Sequence, residues 1–130
     1  MLPNAPTREV LAMTMTLVEE TYGTMKKIKA SWVEASAVAT ATTVNTYNGK
    51  IQALTTIPNG SSAPAASYDV TVKDESSVDV LIDAGLSRAA AAVENVKAGS
   101  MGAVANDKLT IAVANAGSSS GAGDIYLFIR

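Results

Sequence analysis

The chain has 130 residues, nearly half of them apolar, a formal net charge of −2, no cysteine and no histidine. That length suits one domain with a core of its own. The missing residue types exclude disulfides, thiolate nucleophiles, the Ser-His-Asp arrangement and most zinc sites. Near-neutral charge, with basic residues gathered only at Lys26, Lys27 and Lys29, excludes the dense cationic footprint of a nucleic-acid binder.

Alanine, threonine, serine and valine are abundant and aromatics scarce, a composition that favours strands around a thin core. Residues 1–9 hold Pro3 and Pro6 with little periodicity and read as an extended N-terminal arm, leaving 10–130 as a single β-sandwich domain. The opening residues lack a basic region followed by an apolar run, so no signal peptide is expected. No stretch approaches the roughly 18 apolar residues of a membrane span.

From Val10 to Val18 the pattern alternates, with Leu11, Met13, Met15 and Leu17 on one face, and a turn is expected over Glu19–Gly23. Residues 25–33 alternate again, Ile28, Ala30 and Trp32 facing inward. The run 37–47 is β-prone, and Asn48-Gly49 after it is a hairpin signal that makes Lys50–Ile57 the return strand. Residues 58–64 form a Pro/Gly/Ser loop.

Tyr68, Val70 and Val72 mark another strand, Asp74–Ser77 a turn, and Val78–Ile82 a continuation. The alanine-rich stretch 86–97 admits either a short helix near 87–97, started at Ser87, or an irregular excursion. Leu109, Ile111 and Val113 alternate as a strand, and 115–123 is a small-residue loop. Ile125–Ile129 closes the chain with apolar residues on both faces, as in a strand covered on both sides. About 7–8 short strands predict an all-β fold, an antiparallel β-sandwich or jelly roll.

Little in the pattern points to catalysis, and neither glycine-rich phosphate fingerprint is met. The acidic cluster at 69–83 (Asp69, Asp74, Glu75, Asp79 and Asp83) could hold a calcium ion or supply a glycosidase pair, but Asp is also the residue of turns, and the spacing fits no EF-hand loop. Trp32, Tyr22, Tyr47 and Tyr68 could build a sugar-stacking platform, although the phase of Trp32 with Ile28 places it in the core. The lysines at 26, 27 and 29 could meet an acidic partner or simply keep a strand face soluble.

Several segments also resemble a family. Asn48-Gly49-Lys50-Ile51, Ile57-Pro58, Ala63-Pro64, Tyr68 through Glu75, Val78-Asp79-Val80-Leu81, Leu109 through Gly117 and Gly123-Asp124-Ile125-Tyr126-Leu127 resemble small structural proteins of tailed bacteriophages. The resemblance runs from about Trp32 to the end, roughly two thirds of the chain. One departure is Ser76-Ser77, where the group usually has a glycine after the Asp-Glu turn. The resemblance implies a β-sandwich that joins a virion, foremost as a capsid decoration (cement) protein. A tail, head-tail connector or baseplate subunit is the alternative, and a carbohydrate-binding or adhesion module is a reading of another class.

The resemblance implies no enzyme activity, cofactor or metal. The expected partners are further copies of the chain and a major capsid or tail protein, with no nucleic acid, membrane or small-molecule substrate. The expected location is the virion, after synthesis in the host cytoplasm. The residues expected at the protein–protein interface are Leu2, Pro3, Pro6 and Arg8 in the arm, Pro58 and Pro64 beside the loop, and Tyr126 and Phe128 on the last strand.

Overall fold

The computed structural model describes residues 15–35, 38–117 and 121–130. Those residues form two antiparallel sheets, and no α-helix occurs among them. The strands are β1 (Met15–Tyr22), β2 (Met25–Val33), β3 (Ala39–Thr42), β4 (Tyr47–Pro58), β5 (Asp69–Lys73), β6 (Glu94–Lys97), β7 (Ala103–Asp107), β8 (Thr110–Ala114) and β9 (Ala122–Ile129). The large sheet runs β1-β2-β9-β4-β6, with β7 also paired to β4, and the small sheet runs β3-β8-β5.

The sandwich follows from alternation. Ile28, Ala30 and Trp32 of β2, Ile51 and Leu54 of β4, and Ile125, Leu127 and Ile129 of β9 are buried on one face of the large sheet. Val70 and Val72 of β5 and Ile111 and Val113 of β8 join them in the same core. Period-two burial of β-branched residues is what a half-buried sheet requires. At Gly123 an added Cβ would meet the Ile57 carbonyl at 2.7 Å and the Trp32 ring at 3.1 Å, so only glycine lets the indole pack beneath β9.

Several sequence expectations are corrected. The strand placed at 10–18 occupies Met15–Tyr22 within the described residues, and the turn expected over Glu19–Gly23 is the tighter Gly23–Thr24. Glu19 and Glu20 stay in the strand, Glu20 facing outward opposite Lys27.

Asn48-Gly49 makes no hairpin. Both residues lie inside β4, after a bulge at Tyr47/Asn48, where the Asn48 Oδ1 accepts the Asn106 N–H at 2.7 Å. Within its described residues the 37–47 run contributes Tyr47, which opens β4, and the four residues of β3, which pair with β8. Its exit is fixed at Thr43, whose N–H donates to the Leu109 carbonyl and whose Oγ1 accepts the Leu109 N–H.

Val78–Ile82 is no strand. It is a series of turns that covers the open edge of β5: the Val80 N–H donates to the Val72 carbonyl at 2.7 Å, and Val70 donates to the Gly85 carbonyl at 2.8 Å. Covering an edge in this way blocks further strand addition. In the Ser76-Ser77 pair that follows Asp74-Glu75, Ser77 sits at φ 63°, so the turn takes a left-handed residue without a glycine.

The stretch near 87–97 holds no helix. Ser87 has φ 57°, incompatible with an N-cap, Arg88 bridges to Tyr68, and Glu94–Lys97 pairs with β4 as β6. Alanine propensity yields here to tertiary pairing. Nine strands occur among the described residues, β6 and β7 having escaped the pattern because they are short and carry no alternating run of large apolar residues.

Candidate docking face

The outward face of the large sheet is uncovered by any other element among the described residues. Register fixes its rows. One row across the strands reads Glu20, Lys27, Phe128, Ala53 and Lys97; the next reads Val18, Lys29, Tyr126, Thr55 and Asn95; a third reads Thr16, Ser31, Asp124 and Ile57.

At the centre stand Tyr126 and Phe128, ring centroids 6.5 Å apart and nearly parallel at 15°. The Lys27 Nζ lies 5.2 Å and the Lys29 Nζ 5.7 Å from the Tyr126 ring centroid. Each cation–π contact at such a site contributes about 0.5–1 kcal/mol, and together they brace the Tyr126 ring against which Phe128 stacks. Val18, 47% exposed, and Val33, 51% exposed, extend the apolar area along β1 and β2. Thus the last strand splits its two faces: Ile125, Leu127 and Ile129 fill the core, while Tyr126 and Phe128 are presented outward, half-buried only by their neighbours.

The inward end of β1 is pinned by Glu19. Its carboxylate accepts the Val44 N–H at 2.8 Å, the Asn45 N–H and Nδ2 each at 3.1 Å, and the Tyr47 hydroxyl at 2.7 Å. Partial burial acts to raise the Glu19 pKa, but these hydrogen bonds outweigh it and hold the carboxyl below its ordinary value. Burial and the Glu19 charge push the Tyr47 hydroxyl upward.

A lowered folded-state pKa contributes stability above the unfolded value and loses it as pH falls through the folded one. Acid titration of unfolding, followed by circular dichroism, therefore shows stability falling below about pH 4.5. E19Q flattens that fall and costs about 1–2 kcal/mol at neutral pH. An unchanged acid limb in E19Q would remove Glu19 from this role.

The other expected interface residues fare differently. Leu2, Pro3, Pro6 and Arg8 lie outside the described residues. Pro58 ends β4, half-buried at the margin of the outer face. Pro64 is corrected: it is buried inside the chain, its loop tied to the segment before 118 by the Ala65 N–H donating to the Ala116 carbonyl at 2.7 Å. Nothing in the sequence around Pro64 distinguishes a buried loop proline from an exposed one. Lys27 and Lys29 were already weighed for an acidic partner, whereas Val18 and Val33 were not singled out, though the phase of Val18 against Leu17 and of Val33 against Trp32 turns both outward.

The sugar-stacking platform does not assemble. Trp32 is 2% exposed and packs on Tyr68 at 5.6 Å between centroids, Tyr47 is also buried, and only Tyr22 of the four reaches solvent. The acidic cluster serves turns. Asp79 accepts the N–H groups of Val72, Leu81 and Asp83, Asp74 those of Ser76 and Val78, and Asp69 that of Ser87. Among the described residues no group of three or more acidic side chains is placed to hold a metal ion.

Compared with protein-family models, with curated proteins and with solved structures, the chain matches none.

Proposed function

We propose that this chain is a structural protein of a bacteriophage particle, a capsid decoration protein that binds the assembled shell through the outer face of its large sheet. The observation that carries the reading is the pair Tyr126–Phe128, set in the middle of an uncovered sheet face and steadied by Lys27 and Lys29. Aromatic rings at the centre of a face, with longer polar side chains around them, form the usual energetic core of a protein–protein contact. Half of the central strand's apolar surface is left for a neighbour, because its other half already fills the core.

The resemblance of the segments from Asn48 to Leu81 and from Leu109 to Leu127 to small virion proteins supports this reading. Repetition then does the rest: each copy contributes modest binding energy, and a shell that carries many copies is clamped at many subunit junctions.

Purified protein mixed with shells that lack it tests the proposal. Saturable binding at a fixed copy number per shell, with a higher temperature of shell disruption, is the expected result. No binding and no gain in heat resistance would contradict it.

A further inference from the structure

Beside the aromatic pair, the third row of the same face opens into a groove of about 560 Å³. Its lining comes from Thr16 of β1, Ser31 and Val33 of β2, Ala122 and Asp124 of β9, and Ile57 with Pro58 of β4; Trp32 also borders it. The groove lies where β9 enters the sheet on Ala122, whose methyl group stands opposite Val33 in the outward phase and leaves room that a longer side chain would fill. It crosses four strands, about 14 Å at about 4.8 Å per strand, enough for some four extended residues laid across the sheet.

The chemistry of this groove is specific. Its walls at Val33, Ile57 and Pro58 are apolar, Thr16 and Ser31 offer hydroxyls, and Asp124 supplies a charge. The Asp124 carboxylate makes no hydrogen bond or ion pair among the described residues, the one salt bridge there being Arg88–Glu94. Lys29, the nearest cation by register, lies diagonally across from Asp124 and has its Nζ over the Tyr126 ring instead. A half-buried carboxylate between aliphatic walls matches a long cationic side chain, whose methylenes cover the walls while its head meets the charge.

We infer that this groove receives an arginine or lysine side chain carried on an extended segment of the partner protein. The inference rests on the outer face being the docking surface only for the identity of the partner; the groove's preference for a cation is its own property. It assigns the two ends of the face different tasks: the aromatic centre supplies affinity, and the Asp124 groove selects register and partner.

The test uses the full chain and the pentapeptide acetyl-Ala-Pro-Arg-Pro-Ala-amide, followed by amide chemical shifts and by the emission of Trp32. The expected result is shift changes confined to Thr16, Ser31, Val33, Ile57 and residues 122–124. Affinity should fall at least fivefold for D124N and for a peptide with citrulline in place of arginine. The double variant Y126S/F128S should bind the peptide as the parent does, even though it fails on shells, so the groove and the docking face are judged separately. Binding that ignores D124N, or shifts spread elsewhere, overturns the inference. So does an R8Q variant whose free-state groove shifts change on their own, since the chain's own Arg8 would then fill the site.

Discussion

Serine in place of both Tyr126 and Phe128 is expected to lower affinity for shells by about 100-fold or more, roughly 3 kcal/mol, measured by co-sedimentation. The reason lies in what the two rings are free to do. Each is half-buried by its own sheet and keeps a face for a partner, and Lys27 and Lys29 fix the Tyr126 ring from one side so that little rotamer freedom is lost on docking. The same substitution spares the core, because Ile125, Leu127 and Ile129 are untouched on the opposite face. Thermal unfolding should therefore shift by only a few degrees. Undiminished shell binding by a folded double variant would remove the aromatic pair from the contact.

The second large effect concerns stability. Gly49→Ala is expected to cost about 3 kcal/mol, a fall in Tm on the order of 10 °C for a chain of this size. Gly49 has φ 135°, a conformation that side-chain-bearing residues rarely adopt, and a Cβ there would meet the Arg130 carbonyl carbon at 2.7 Å and its oxygen at 2.8 Å. Neither contact can relax by a side-chain rotation. Both partners are backbone, held by the reciprocal bonds between Lys50 and Arg130, 3.0 Å each. A G49A protein as stable as the parent would mean that the last residue of the chain is not anchored against β4.

Gly49 also shows where sequence pattern and fold part company. Asn-Gly after a β-prone run reads as a two-residue turn, because both residues tolerate positive φ. Here the same tolerance serves a bulge and a close approach of the chain's end, and nothing local separates the two uses. The alternating runs were far more legible. Ile28, Ala30 and Trp32, or Ile111 and Val113, declare their buried face by phase alone, and the two-sheet architecture follows from them. The short strands β6 and β7 were not legible, since Glu94–Lys97 and Ala103–Asp107 carry no alternation of their own and are recruited by β4.

The candidate site divides in the same way. Tyr126 and Phe128 stood out as the apolar residues on the wrong face of a strand already apolar on the other. Asp124 did not, because an aspartate next to glycine reads as loop chemistry until β2 and β4 are known to flank it. Pro64 misled for the opposite reason: loop prolines are exposed more often than not, and this one is roofed by a segment more than fifty residues away.

Lysine acetylation of purified particles, compared with the free protein, bears most directly on whether the large sheet's outer face meets the shell. Lys27 and Lys29 should lose reactivity on the particle, while Lys73 at the end of β5 and Lys108 between β7 and β8 keep theirs. Continued labelling of Lys27 and Lys29 on the particle, with protection of Lys73 and Lys108, would place the contact on the small-sheet side and contradict the account.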